Sequence, residues 1–120
     1  LDGFWGVGHP DHMAAGEAAL SAVYPTARDH MTFPELLQKG LEPHKVAEVW
    51  VMGHPEPDHW VDVTEHMDKS IKALNEHTSQ LGGRPSEEID KRMREWRSER
   101  AIGKGMEYAE AFRRLVIERS

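Results

Sequence analysis

The chain of 120 residues contains no cysteine. Disulfide bridges and thiolate metal ligands are therefore excluded, and this is compatible with the cytoplasmic location that we expect. Basic residues are not clustered: 15 Lys and Arg are spread among 21 Asp and Glu, for a formal net charge of −6. A nucleic-acid surface needs concentrated positive charge, so we expect no nucleic-acid partner. No apolar run approaches the length of a membrane span, so we also expect no membrane partner.

The beginning of the sequence carries neither an initiator methionine nor a charged-then-apolar leader, since the first residue is Leu1. A length of 120 residues suffices for one hydrophobic core, and we expect a single domain over residues 1–120. It is short for a complete enzyme of the kind that the motif below indicates. We therefore expect a truncated or partial piece of a longer protein.

The most informative segment is GHPDH at residues 8–12, which a helix of small residues follows. Pro10 restricts the backbone between His9 and His12. Two imidazoles three residues apart, at the start of a helix, can act as a metal ligand and a neighbouring proton donor. The pattern indicates a metal-dependent hydrolase. The structural alternative is one loop histidine and one helix-capping histidine, neither of them a ligand.

Periodicity, capping residues and β-branched runs predict an α/β protein with about four helices and few strands. Helices are predicted at residues 12–23, 32–37, 64–81 and 86–102. Extended segments are predicted at residues 46–52, 60–63 and 108–116. Asp11 is the predicted N-cap of the first helix, and Pro25 is expected to end it. The near-continuous apolar run from Val46 to Met52 favours a buried strand of a parallel sheet.

An ordered series of motifs runs along nearly the whole chain. These motifs are GHPDH with its AAGEAA helix, VWV, WVDVT, KAL, HTSQ and YAEAF, at residues 8–19, 49–51, 60–64, 72–74, 77–80 and 108–112. In this order they resemble the PIG-L/LmbE family of zinc-dependent N-deacetylases, which remove acetyl groups from N-acetylglucosamine-type conjugates and related amides. The resemblance implies a partial Rossmann-like α/β fold and the C-terminal half of such a deacetylase.

The resemblance also implies roles for the residues of the GHPDH motif. His12 is the implied zinc ligand, His9 stabilises the oxyanion of the tetrahedral intermediate, and Asp11 orients an imidazole. The family's remaining zinc ligands and its general base belong to a His-Pro-Asp-Asp motif that does not occur in this sequence. Catalytic zinc takes about three protein ligands. We therefore expect the chain alone to hold zinc poorly and to be inactive, with a missing N-terminal half as its partner and a small N-acetylated molecule as substrate.

Three further residues are predicted to contact substrate. Trp5 lies in a glycine-rich loop beside the motif histidines, and His54 and His59 follow the best strand, where parallel α/β sheets bind ligands. For the last two, a proline-stiffened surface turn with solvated imidazoles is favoured over metal ligation. A new metal site built from His9, His12, His54 and His59 stays open as well.

Several other residues are expected to be structural. Asp62 is predicted to cap or orient the helix that starts near Thr64, and the charged run 91–97 to form a solvated helix face. Glu110 is either a buried ion-pair partner or a structural acceptor. Three tryptophans are predicted to be core residues rather than surfaces for sugars: Trp50, Trp60 and Trp96.

A second functional hypothesis belongs to a different class. Without the family's N-terminal strands, the edge and faces of the remaining sheet would be exposed, and such surfaces have to be covered. A homo-oligomer could bury them. The chain would then be a non-catalytic, self-associating α/β module.

Overall fold

The structure, a computed structural model, describes residues 10–117 and divides into two compact units. Unit 1 comprises the described residues of 1–48 together with residues 116 and 117, and unit 2 comprises Val49–Leu115. The helices are α1 Pro10–Val23, α2 Pro34–Gln38, α3 Met67–Asn75 and α4 Ser86–Arg100. The strands are β1 Glu48–Met52, β2 His59–Asp62 and β3 Ala109–Val116. The α/β class with about four helices is confirmed.

Local signals account for the two helices of unit 1. Pro10 already lies in α1, where its fixed φ and missing N–H suit the first turn. Asp11 therefore lies inside the first turn, beside the positive end of the helix dipole, and the prediction that it is the N-cap is wrong. Pro25 follows the end of α1, as predicted. After α2, Gly40 adopts a φ of +83°, a conformation that glycine reaches without a Cβ clash.

Unit 1 has no buried residue in its described part. The apolar side chains Met13 and Leu20 of α1 are solvent-exposed, and Val23 is half-buried. Apart from its chain neighbours and the backbone of α1 itself, no described atom lies within 4 Å of the position that a Cβ would take at Gly16. The close helix packing that small residues permit is therefore not made by the described residues.

Unit 2 contains the sheet, whose strand order is β1-β3-β2. The sheet is antiparallel, with His59 of β2 opposite Phe112 of β3 and Asp62 opposite Ala109. Strand β1 lies at an edge, and Trp50 and Met52 remain 44% and 76% exposed. The prediction of a buried parallel strand is therefore wrong: side chains alternate between the two faces, and an uninterrupted apolar run conceals that alternation.

The core of unit 2 lies where α3 and α4 pack together beside the start of β3. Its buried apolar residues are Met67, Ile71, Ile89, Ala101 and Ala109. The helix predicted over residues 64–81 is shorter: a 3-10 turn at Thr64–His66 precedes α3, which ends at Asn75. No helix in the described part of the chain combines the length and apolarity that a membrane crossing requires.

Helix α4 places an arginine where a tryptophan was expected. The residues facing inward repeat every fourth position, at Ile89, Met93 and Arg97. Trp96 precedes Arg97 by one residue, about 100° around the helix, and is 47% exposed. The prediction that Trp96 belongs to the buried face is therefore wrong. At the start of α4, Pro85 occupies the N-cap position, and no side-chain hydrogen bond caps the helix.

Candidate functional site

The motif residues that the structure describes lie in the first turn of α1. Asp11 and His12 are both solvent-exposed there. His9 and Trp5 lie outside the described residues. The predicted roles of His9 and Asp11 in catalysis, of His12 in zinc binding and of Trp5 in substrate binding therefore stay predictions.

The residues between 10 and 117 do not make up a complete zinc site. Within them, no three or more His, Cys, Asp or Glu side chains are grouped so that they could hold a metal ion. Catalytic zinc usually takes three protein ligands and leaves one position for water. Of the alternative four-histidine site, His9 lies outside this part of the chain, and His12, His54 and His59 form no such group within it.

His54 closes a turn after β1. Its Nδ1 accepts a hydrogen bond of 3.0 Å from the backbone N–H of Glu56, and the side chain is half-buried. A neutral imidazole that accepts at Nδ1 carries its proton on Nε2. This geometry fits the proline-stiffened turn that the sequence favoured over metal ligation.

His59 lies on strand β2 rather than in the preceding loop. Its ring centroid is 4.4 Å from that of Trp50, with the two planes tilted by 59°. Trp50 also contacts Phe112, at 5.4 Å between centroids and a tilt of 48°. Because His59 and Phe112 are directly opposite in register, the three rings share one face of the sheet. We call them the aromatic cluster.

Sequence reasoning missed the exposure of Trp50, because this residue was expected in the core. The signal that could have found it is the spacing of Trp50 and Met52, two residues apart, which places both on one face of a strand. If that face lies at the surface, both side chains are exposed together. The described structure shows this arrangement.

Asp62, the last residue of β2, has a structural role. Its Oδ1 accepts hydrogen bonds from the Thr64 hydroxyl at 2.6 Å and from the Thr64 N–H at 3.0 Å. The Thr64 hydroxyl and amide bonds hold the pKa of this carboxyl below its usual value. The Tyr108 N–H donates to the Thr64 hydroxyl in turn, at 3.2 Å. Asp62 thus orients the 3-10 turn that leads into α3, as predicted.

Glu110 forms an ion pair, as one of the two alternatives from the sequence expected, but its side chain is not buried. Arg97 donates from Nη2 to Glu110 Oε1 at 2.9 Å and from Nη1 to the Ser70 hydroxyl at 2.9 Å. The Arg97 side chain is only 13% exposed, and that of Glu110 is 40% exposed. One guanidinium therefore joins α3, α4 and β3.

The charged run 91–97 is not uniformly solvated. Besides Arg97, Arg94 is half-buried and donates to Asp90 at 2.7 Å and to Asp68 at 2.6 Å. These bonds raise the pKa of Arg94. The prediction of a solvated helix face holds for Lys91, Arg92 and Glu95 and is wrong for Arg94 and Arg97.

Two surface depressions lie elsewhere in unit 2. The larger, about 520 Å³, is lined by Asp62, Thr64, Glu65, His66, Gly105, Met106 and Glu107. The other, about 340 Å³, lies between α3 and α4 and is lined by Ile71, Asn75, Ser86, Glu87, Asp90 and Lys91. Neither contains a predicted site residue, and both are open to solvent.

Over residues 10–117 the chain is a mixed α/β structure with four helices, a three-stranded antiparallel sheet and exposed histidine and tryptophan side chains. No family model matches it. The chain is 31% identical over 74 residues to diacetylchitobiose deacetylase of Thermococcus kodakarensis. The match covers 62% of this chain and 27% of that protein, so it spans about a quarter of the relative's length. This partial similarity supports a deacetylase-like origin.

Proposed function

We propose that the chain is the C-terminal part of a metal-dependent N-deacetylase of the PIG-L/LmbE type, acting on N-acetylglucosamine-type or related amides. The observation that carries the proposal is the partial identity with diacetylchitobiose deacetylase. The GHPDH motif at residues 8–12 adds the residue types that such chemistry needs. The proposal includes a Rossmann-like fold, completed by an N-terminal half, and zinc as the cofactor of the complete enzyme.

In this proposal residues 9–12 supply the catalytic side chains, and of these Asp11 and His12 lie in the first turn of α1. His12 binds the metal, Asp11 orients an imidazole, and His9 stabilises the oxyanion. Two features support these roles: Asp11 and His12 are accessible, and a helix N-terminus favours negative charge on nearby groups. Because residues 10–117 contain no complete ligand set, we expect the chain by itself to be inactive.

The experiment measures acetate release from N,N′-diacetylchitobiose with added zinc. We expect none from the chain alone, and turnover once it is joined to a segment that carries a His-Pro-Asp-Asp motif. In that longer protein, His12→Ala should lower kcat/KM by at least about 100-fold, because it removes a ligand. His77→Ala, which alters an exposed histidine outside the proposed site, is the matched control.

Two outcomes would contradict this proposal. Clear turnover by the chain alone would disprove the dependence on an N-terminal half. Equal activity of the His12→Ala and His77→Ala variants would remove the metal-binding role of His12.

A second candidate function, self-association, is favoured by the number of large apolar side chains at the surface. Among the described residues these are Met13, Leu20, Tyr24, Met31, Phe33, Leu36, Leu41, Trp50, Met52, Trp96, Ile102, Leu115, Val116 and Ile117. Large apolar side chains at the surface can mark interaction sites. Strand β1, at an edge of the described sheet, carries two of them, Trp50 and Met52.

Sedimentation velocity over a concentration series tests self-association. We expect an oligomer that Met52→Lys, on edge strand β1, weakens more than Met31→Lys, which alters a similarly exposed methionine of unit 1. A chain that remains monomeric at the highest concentration would contradict the proposed self-association. Equal effects of the two variants would exclude β1 as the contact.

A further inference from the structure

We infer that the face of α1 on which Gly16 and Leu20 lie packs against the N-terminal half of the longer protein, and that this contact positions His12. The inference rests on the proposed function for the existence of that half. It concerns the body of α1 in unit 1, to which the proposed function gives no role.

Helix α1 is regular but has no hydrophobic core of its own. None of its 14 residues is buried. Met13 is 62% exposed and Leu20 is 52% exposed, and the position of a Cβ at Gly16 meets only its chain neighbours and the backbone of α1 within 4 Å. A helix of this length is marginal in water without tertiary packing. We therefore expect another segment to cover α1.

The exposed apolar side chains lie along one side of α1. Met13, Gly16 and Leu20 are three and four residues apart, a spacing that places side chains on one face of a helix. We call these three residues the contact face. His12 precedes Gly16 by four residues, so it lies at the edge of this face. Ala18, two residues from both Gly16 and Leu20, lies about 160° around the helix, on the opposite side.

The extent of the similarity favours an N-terminal half as the occupant of the contact face. The match covers 62% of this chain but only 27% of diacetylchitobiose deacetylase, so most of that protein lies outside it. In the proposed function, the remaining zinc ligands come from such a further segment. Ligands of one metal ion have to meet around it, so a helix face that carries His12 at its edge is expected to lie against the segment that supplies the others.

The size of the contact face argues against a second copy of the chain. A helix of 14 residues is about 21 Å long, and one face of it offers on the order of 200 Å². A stable interface between separate proteins takes about 800 Å² from each partner. Segments of one polypeptide need less area, because the covalent connection already keeps them at a high effective concentration. The contact face therefore suits a segment of the same polypeptide.

Packing of the contact face would also hold the first turn of α1 in place. Metal sites need their ligands held within about 0.5 Å of the productive geometry by packed supporting residues. His12 is one residue before Met13, and a rigid helix transmits the position of its packed body to its first turn. Gly16 and Leu20 are then positioning residues, since they orient His12 without touching the metal.

The test uses the absence of cysteine from the chain, because one introduced thiol then reports on one position. Leu20→Cys places the thiol on the contact face, and Ala18→Cys, at an exposed position on the opposite side, is the matched control. The rate of thiol alkylation is followed by mass spectrometry of the α1 peptide, with a chelator present. It is measured in the chain alone and in the longer protein that carries a His-Pro-Asp-Asp motif.

Burial of the contact face should slow alkylation at one position only. In the chain alone, we expect the two rates to agree within about 2-fold, since both thiols are exposed. In the longer protein, the rate for Leu20→Cys should fall at least about 10-fold, because the thiol reacts only when the contact opens, and that for Ala18→Cys by less than about 2-fold.

Gly16→Leu tests the same face by overpacking. Leucine is a better helix former than glycine, and the described structure has space at this position, so the chain alone should keep its helicity by circular dichroism. In the longer protein the added side chain has to displace the covering segment. There, Gly16→Leu should weaken zinc binding at least about 10-fold, and the control Ala18→Leu by less than about 2-fold.

Three results would overturn the inference: no slowing at Leu20→Cys, equal slowing at both thiols, or slowing in the chain alone that grows with its concentration, which would assign the face to a second copy. The deacetylase proposal is judged separately by acetate release. A longer protein that releases acetate while its Leu20→Cys thiol reacts as in the chain alone would exclude the contact only. Slow alkylation of Leu20→Cys without acetate release would support the contact and contradict the deacetylase proposal.

Discussion

Units 1 and 2 differ in how their residues are held. All five buried apolar residues of the described chain belong to unit 2, and none belongs to the described part of unit 1. Unit 1 has helices whose ends follow local rules, at Pro10, Pro25 and Gly40. In unit 2, by contrast, residues far apart in sequence pack together. The comparison teaches that a helix can be specified locally without the burial that normally stabilises it.

The side-chain hydrogen bonds show the same difference, although two backbone bonds of unit 1 also join distant residues, from the His44 N–H to the Ala27 carbonyl and from the Ile117 N–H to the Ala47 carbonyl, both at 2.8 Å. In unit 1, the Asp29 carboxylate accepts bonds from the Met31 N–H and the Thr32 hydroxyl, two and three residues away. In unit 2, Arg97 reaches Glu110 across 13 residues and Ser70 across 27. Contacts of long sequence separation bind elements to one another, whereas short ones only shape a turn. We therefore expect cooperative unfolding to report mainly on unit 2.

The largest expected effect comes from the core of unit 2. Met67 is 1% exposed, and Met67→Ala should lower the free energy of unfolding by about 2–5 kcal/mol through lost burial and a cavity. The matched variant in unit 1 is Leu20→Ala, at an exposed position of α1. This substitution should change the free energy of unfolding by less than about 0.5 kcal/mol. Urea denaturation followed by tryptophan fluorescence and circular dichroism measures both. A comparable loss in Leu20→Ala would show that α1 is buried in solution and would break the comparison.

An intermediate effect is expected from the arginine that joins three elements. Arg97→Met should cost about 1–2 kcal/mol, because Glu110 and Ser70 lose a charged donor while Glu110 keeps access to water. A double-mutant cycle with Glu110→Gln isolates the pair.

The surface pair Lys91–Glu95, with 4.0 Å between charged atoms, is the matched control. Its coupling energy in the same cycle should fall below about 0.5 kcal/mol. If the Arg97–Glu110 and Lys91–Glu95 coupling energies were equal, the conclusion that Arg97 stabilises the packing of α3, α4 and β3 would be wrong.

The smallest effect is a pH dependence that compares two exposed aspartates. The pKa of Asp62 and that of Asp29 both lie below the ordinary 3.8, each lowered by hydroxyl and amide donors. The stabilising contribution of such a carboxylate is complete above pH 3.8 and disappears as the pH falls through its lowered folded pKa. NMR titration should place both midpoints below 3.8.

The two aspartates should differ in their effect on global unfolding. Asp62→Asn should lower the unfolding midpoint at neutral pH and converge with the parent chain in acid, because the Asp62–Thr64 turn is tied to Tyr108 of unit 2. Asp29→Asn should leave that midpoint nearly unchanged, since its bonds stay within one turn. If Asp29→Asn lowered the unfolding midpoint more than Asp62→Asn does, the comparison between the two units would be reversed.

Much of the fold could be predicted from local patterns. The existence of α1, of the short α2, of α4 and of the final strand follows from proline, glycine and apolar spacing. The structural role of Asp62 was predictable for the same reason, because an aspartate two residues before a turn accepts its first N–H. The roles of His9 and His12 were also stated from the sequence, and they stay predictions.

What could not be predicted depends on which face of an element is covered. Trp50 and Trp96 were expected in the core, yet both are exposed, because one lies on an edge strand and the other a residue before the inward-facing Arg97. The direction of the sheet was equally hidden: the run from Val46 to Met52 fits a parallel strand as well as an antiparallel edge strand.

By itself, the sequence determined approximately where the four helices and three strands of the described residues lie, the absence of thiol chemistry and the presence of a histidine motif at a helix start. These features depend on covalent geometry and on neighbours within a few residues. Only the tertiary structure decided that Arg97 pairs with Glu110, that three rings meet over the central strand, and which tryptophans reach solvent. Such contacts join residues far apart in the chain, and local spacing carries no information about which of them meet.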